Sequence, residues 1–319
     1  MSLISKLTPI NLLEEKAKFL ANPSYNPQFI YEEPVDVKTL IKYGLPQQKY
    51  IDLAQEILDR AYYGRNEQDL LMMEGPILTQ TEVTGKTEKF LKLHRLEKRY
   101  KVIWSSSFVS RTTIDSSTIK YRIPSQFRKN ELLGTLYHEI GTHALRRINY
   151  EQQPWFKKKK ELGFADYLKT EEGLAALHSL MPSVNKYAYE MASRYLAVAY
   201  AQQHTFSELW KYIGKYIQDE ETRWMVALRQ KRGIEDTSQP GGFTKDLVYF
   251  EGIVEVWKWL KAHQFDPTSL YLGKIALVDV TKAMEFSQNF KPSLPSFFSI
   301  NPEKYAQALI EIGNINVLV

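Results

Sequence analysis

From Leu132 onward, apolar residues recur at steps of three and four, through Leu133, Leu136, Ile140, Ala144 and Ile148. That spacing predicts a helix with one face on a core. The same period runs through KTLIKYGL and YIDLAQEILDRAYY between Pro34 and Tyr63. It returns in a segment opening near Thr170, from about Asn185 to Gln203, from Ser207 to Arg229 and from Lys245 to Ala262. Two short helices around a Pro-rich loop at 292–295 are expected at the C-terminal end. Between Lys101 and Ile123 the character changes: KVIWSSSFVS and STIKYRIP are rich in β-branched and aromatic residues, and Asp115-Ser116-Ser117 between them suits a turn. The pattern predicts an α+β fold, predominantly helical, with a small antiparallel sheet before the helix at 132–148. No repeat, low-complexity tract or Gly/Ser linker marks a boundary. The change of pattern near residue 100 separates an N-terminal helical region, 1–99, packed on a core domain, 100–319, and one continuous domain is the other reading.

Composition narrows the chemistry. The 319 residues are 44% hydrophobic and 25% charged, an ordinary soluble balance. Cysteine is absent, so disulfides and thiolate metal sites are excluded and a transition metal must be held by His and carboxylate. A cysteine-free chain fits a reducing compartment. The opening MSLISKLTPINLLEEKAKFLANPSY has no uninterrupted apolar run before Glu14-Glu15-Lys16, so no signal peptide is expected. No uncharged stretch approaches the roughly 20 apolar residues of a membrane span, and a cytoplasmic location away from the membrane is expected. The net charge of +5 favours acidic partners mildly, with Lys157 to Lys160 the one cationic run. The 20 Tyr and 15 Phe follow apolar helical faces, as in YAYEMASRYLAVAY, which points to core packing rather than a nucleic-acid platform.

The candidate chemistry sits in Leu136-Tyr-His-Glu-Ile-Gly-Thr-His143. Two of the six histidines lie five apart on one helix, with Glu139 beside the first. Imidazoles at about 2.0–2.1 Å hold zinc and leave a position for water, whose proton an adjacent carboxylate takes as it attacks a carbonyl. The common peptidase helix spaces its histidines four apart. Five residues correspond to about 140° around an ideal helix, so both rings reach one ion only if the helix opens between them. Gly141 permits such a distortion, and a π-bulge is a known functional irregularity. The pair alone also fits two unrelated helix histidines. Thr170-Glu171-Glu172-Gly173-Leu174-Ala175, about thirty residues on, supplies a third ligand on a second helix with Thr170 as its cap. Two glutamates in a first turn also suit the helix dipole, and one glutamate for each purpose is possible.

HEIGTH, Arg146, QPW at 153–155, TEEGLA at 170–175 and the block KRG...DTSQPGGFTKD...Y..G from 231 to 252 resemble the microtubule-associated tyrosine carboxypeptidases. Those enzymes remove the terminal tyrosine of α-tubulin. Bacterial relatives with a QEGLA motif are named as modulators of flavohaemoglobin expression. The resemblance spans roughly residues 100 to 280, and its family is described by HExxxH. It implies a zincin-like metallopeptidase with one Zn2+ ion on His138, His143 and Glu172, and Glu139 as catalytic base. Glu172 is preferred to Glu171 because the bacterial motif places Gln before its Glu. The implied partner is an acidic C-terminal protein tail such as that of α-tubulin on microtubules.

A carboxypeptidase must also neutralise a terminal carboxylate and an oxyanion, tasks for Arg, Lys or Tyr. Arg223, Arg232, Lys245 and Tyr249 lie in the second block of resemblance and are the candidates, Lys245 and Tyr249 being placed on one helical face. Arg146 is a substrate clamp or a group that orients a ligand. The strand around Ser106 to Thr112 is a candidate edge for an extended peptide. His178, in LAALHSLM, reads as a core histidine with its hydrogen bonds satisfied. The expected function is removal of a C-terminal aromatic residue, tyrosine, from an acidic tail. The alternatives are a metallopeptidase of the same scaffold with another protein substrate and a non-catalytic module for acidic partners. The last is disfavoured because Glu139, which binding alone does not need, is present.

Overall fold

A computed structural model describes residues 3–61, 67–108 and 110–318. Tyr62 and Tyr63, at the end of the helix expected from Pro34, and Val109 in KVIWSSSFVS lie outside the described residues. Two compact units form, one from Met1–Gly64 and Ala188–Phe250, the other from Arg65–Tyr187 and Glu251–Val319. Both are discontinuous in sequence, and neither has a border at residue 99.

The first unit is helical, with Leu12–Ala21, Gln48–Arg60, Tyr189–Ala201, Phe206–Ile213 and Glu220–Lys231 as its main elements. Phe19 anchors its core, 5.0 Å from the Phe206 ring and 5.3 Å from that of Trp224. The single helix expected from Ser207 to Arg229 is two. Asp219 starts the second by accepting from the Thr222 N–H at 2.7 Å, a cap that competes with continuing the first. Lys245 lies in a 3-10 turn, Thr244–Asp246, ahead of the α-helix Leu247–Ala262 that carries Tyr249, so the two do not share the α-helical face expected of them.

The second unit holds the strands. β1 (Ile77–Leu78) pairs antiparallel with β5 (Phe127–Arg128). β2 (Lys101–Ser105), β3 (Thr112–Ile114) and β4 (Thr118–Arg122) form a sheet in the order β2-β4-β3. β2 runs parallel to β4 and β3 antiparallel to it, so this sheet is mixed rather than purely antiparallel. The reason is local: Asp115 accepts from the Ser117 and Thr118 N–H groups at 2.9 and 2.8 Å. The turn read from Asp115-Ser116-Ser117 therefore joins β3 to β4, and β2 pairs with the other side of β4. The expected peptide-binding edge is occupied by β3 only from Thr112 onward.

Helix Lys129–His138, a π-helical turn Glu139–Ala144 and helix Leu145–Glu151 follow without a break. Helix Leu168–Leu180 packs on the first of these, close enough that a Cβ on Gly134 would lie 2.5 Å from the Ser179 carbonyl oxygen. It crosses helix Leu247–Ala262 at backbone contact, where a Cβ on Gly173 would meet Gly252 at 2.2 Å. Its N-cap is Tyr167 rather than the expected Thr170, whose hydroxyl instead accepts from the Leu277 N–H at 3.0 Å. Helix Pro302–Ile315 closes the chain, its Leu309 carbonyl accepting from the Trp257 indole at 2.7 Å. Among the described residues no helix is long and apolar enough to cross a membrane.

Candidate metal centre

The π turn resolves the five-residue spacing. In an α-helix His138 and His143 would point about 140° apart. The widened turn between them brings their rings to a centroid separation of 4.7 Å, nearly perpendicular at 81°. Glu172 enters from helix Leu168–Leu180, its Oε2 lying 3.7 Å from His138 Nε2 and 3.6 Å from His143 Nε2. One ligand atom from each of the three lies within 4.8 Å of the others. Tetrahedral zinc with bonds near 2.0–2.1 Å spaces its ligand atoms roughly 3.4 Å apart, so two imidazoles and a carboxylate set this way fit one such ion with a position to spare.

Glu171 serves the same site from behind. Its Oε1 lies 2.8 Å from His143 Nδ1, so Nδ1–H donates to the carboxylate and Nε2 is left toward Glu172. This is the carboxylate–histidine arrangement that fixes the tautomer of a metal-binding ring. Glu171 is buried and bonded also to Arg146 and Lys274. Burial disfavours its charge, but Lys274 and Arg146 outweigh that and hold the carboxyl well below the usual range.

Arg146 itself has no exposed surface. Its Nε donates to the Leu270 carbonyl at 2.9 Å, its Nη2 to the Ile275 carbonyl at 3.0 Å and its Nη1 to Glu171. A guanidinium so enclosed braces Glu171 and does not present itself to a substrate. Of the two readings the sequence left for Arg146, substrate clamp or orienting group, this enclosure favours the second.

Glu139 is 9% exposed. Burial pushes its carboxyl up to about 7, against the pull of His143 and Lys274. Burial and the neighbouring His143 push His138 down to about 4. Burial works the same way on His143, but its bonds to Glu171 and Glu172 raise it to about 9. A cation on Nε2 competes with that proton, since imidazole ligates through a deprotonated nitrogen. His178 is fully buried with both ring nitrogens bonded, Nδ1 2.8 Å from Thr142 Oγ1 and Nε2 2.9 Å from the Tyr305 hydroxyl. It is the satisfied core histidine the sequence suggested.

The remaining candidates lie in the first unit. Arg223 donates to the Ile217 and Gln218 carbonyls at 3.0 and 3.1 Å and sits 4.3 Å over the Trp210 ring. Arg232, 7% exposed, is brought down to about 10 by burial and by Arg229. Lys245 and Tyr249 are half-buried, the Tyr249 ring 5.9 Å from the Arg229 guanidinium. Sequence reasoning missed Lys274, which sits in an undistinguished YLGKI and carries no pattern that marks it. It also missed Thr142, whose place between the two histidines was the available signal.

The family described as microtubule-associated tyrosine carboxypeptidase matches residues 37–298. The chain is 31% identical over 329 residues to the mouse (Mus musculus) MATCAP2 protein, an alignment covering 100% of this chain and 62% of that protein. It is 31% identical to mouse and 32% to human (Homo sapiens) microtubule-associated tyrosine carboxypeptidase 1, each time covering 98% of this chain and 68% of the relative. The chain thus spans about two thirds of the length of these relatives. With residues 37–298 matched by the family and relatives 31–32% identical over 98% of its length, the chain belongs to the microtubule-associated tyrosine carboxypeptidase family.

Proposed function

We propose that the protein is a zinc carboxypeptidase of zincin-like design, removing a C-terminal aromatic residue, tyrosine, from an acidic protein tail such as that of α-tubulin. The observation that carries this reading is the convergence of His138, His143 and Glu172 with Glu139 next to the first ligand. Bound there, zinc supplies a Lewis acid that polarises the scissile carbonyl and acidifies water. Glu139, its proton affinity raised by burial, takes a proton from the attacking water and delivers it to the departing amine. Glu171 holds the His143 ring in one tautomer while Arg146 holds Glu171. β3 packs against the π turn and is paired by β4 on one side, which suits an edge along which an extended tail lies.

The terminal carboxylate needs a cation. The sequence motif offers Arg223, Arg232, Lys245 and Tyr249 for this task, and Arg223 also braces the turn at 217–218. The net charge of +5 suits an acidic tail. The names of the relatives supply the microtubule as the place to look for it.

Mass spectrometry of peptides ending in EEY, EEF and EEA, incubated with zinc-loaded protein and its Glu139→Gln form, tests the reading. Loss of one residue from the first two alone, and only with Glu139 present, supports it. Internal cleavage points to an endopeptidase on the same scaffold. No cleavage of any peptide, nor of microtubules, counts for a module that binds acidic tails.

A further inference from the structure

On an ordinary helix a threonine hydroxyl reaches the carbonyl three or four residues back. Thr142 reaches five back, donating to the Tyr137 carbonyl at 2.9 Å. The bond spans the widened turn and breaks if that turn relaxes to α-helical geometry. With its proton committed, Thr142 Oγ1 accepts from His178 Nδ1–H at 2.8 Å. The ring then offers Nε2 as acceptor to the Tyr305 hydroxyl at 2.9 Å. Thr142, His178 and Tyr305 are each fully buried, so water does not replace any of these bonds.

The placement of the three residues gives the chain a purpose. Thr142 lies between the two histidines of the site. His178 is on helix Leu168–Leu180, which carries Glu172. Tyr305 comes from helix Pro302–Ile315. The hydrogen bond from His178 to Thr142 is a cross-brace between the element bearing two ligands and the element bearing the third. We propose that Tyr305, His178 and Thr142 form a positioning chain that holds the π turn in the shape in which His138, His143 and Glu172 face one ion. This rests on the metal reading above and adds to it residues that touch neither ion nor substrate.

The test compares wild type with Thr142→Val, Thr142→Ser and Tyr305→Phe. The zinc dissociation constant is measured by competition with a chromogenic chelator, and thermal unfolding is followed with and without zinc. Val keeps the shape of Thr142 but loses the hydroxyl, and zinc binding is expected to weaken about tenfold or more, in the range seen when outer partners of a ligand are removed. Thr142→Ser, which keeps the hydroxyl, is expected within about threefold of wild type, and Tyr305→Phe between the two. A purely structural role lowers the unfolding temperature equally with and without zinc and leaves the dissociation constant unmoved; that result in Thr142→Val and Tyr305→Phe overturns the inference. Should Thr142→Val fail to fold, Tyr305→Phe decides alone. Wild type that binds no zinc overturns the metal reading and this inference together, whereas equal zinc affinity across the series overturns only the inference.

Discussion

Glu171 Oε1 lies 2.8 Å from His143 Nδ1 on the side of the ring opposite Nε2, which faces Glu172 Oε2 at 3.6 Å. Two consecutive glutamates thus hold one imidazole from both sides. Adjacent helix positions point about 100° apart, which is what lets neighbours reach different faces of a ring standing between them. The division predicts two different losses. On the proposed reading Glu172→Ala removes a ligand and is expected to abolish stoichiometric zinc binding. Glu171→Gln keeps a polar partner but loses the charge, and is expected to weaken zinc by about 10–100-fold without abolishing it. Elemental analysis and chelator competition measure both. Equal zinc content in Glu172→Ala and wild type would remove Glu172 from the ligand set.

Glu139 is the proposed base and not one of the proposed ligands, so its removal is expected to separate chemistry from binding. Glu139→Gln keeps size and hydrogen bonding but cannot carry the proton, and turnover of a susceptible peptide is expected to fall by at least about 10²–10⁴-fold. Zinc content should stay at one equivalent. Full activity in this variant would exclude Glu139 as the base.

The sequence made the grouping of His138, His143 and Glu172 legible because these residues sit in short motifs. HEIGTH announced an irregular helix, since five-residue spacing is incompatible with one ion on an ideal α-helix, and the π turn Glu139–Ala144 is that irregularity. The apolar stripe gave no sign of it, because Ile140 and Ala144 are buried on either reading of the phase. The two readings of Arg146 stay open in the sequence because a charged residue three after His143 looks the same there whether it faces solvent or Glu171. Only the carbonyls of Leu270 and Ile275, more than a hundred positions away, reveal that it is enclosed. The sheet was misjudged for a related reason. Strand propensity marked β2 and β4, but the short β3 between them takes the antiparallel place beside β4. Lys274 carries no local pattern at all and is tied to the site by tertiary contact alone.

Gly141 illustrates a close fit that helix propensity would misread. Alanine is worth about 1 kcal/mol more than glycine in a helix interior, so Gly141→Ala should stabilise if nothing stood nearby. A Cβ there would lie 2.5 Å from Phe297 Cε1, and that ring is held by stacking on Tyr137 at 4.2 Å and by His178 at 4.8 Å. Overpacking is expected to win, for a net loss of about 1–3 kcal/mol in denaturant unfolding. Gly141→Ala combined with Phe297→Leu should lose less than the sum of the single changes, because the two occupy the same space. Strict additivity would show that Phe297 is not what limits the site.

Asp246 gives the first unit an acid-sensitive contact remote in chemistry from the metal ligands. Its carboxylate receives the Arg229 Nε at 2.6 Å, the Arg229 Nη2 at 2.6 Å and the Gln230 amide at 3.0 Å, and the residue is 2% exposed. Burial disfavours the charge, but Arg229 outweighs it and holds Asp246 well below the usual aspartate range. The sign follows from linkage: a carboxyl depressed in the folded state stabilises above its unfolded value, about 3.9, and that stability is lost as the pH falls below it. Wild-type unfolding temperature should therefore drop between about pH 5 and about pH 3. Asp246→Asn leaves Arg229 without its counter-charge and is expected to cost about 2–3 kcal/mol near neutral pH, less than for a wholly enclosed pair because the Arg229 side chain is 28% exposed. The variant should also lose stability less steeply across the acid range, so that its curve converges on that of wild type. Parallel curves in that range would place the acid-labile contact elsewhere in the protein.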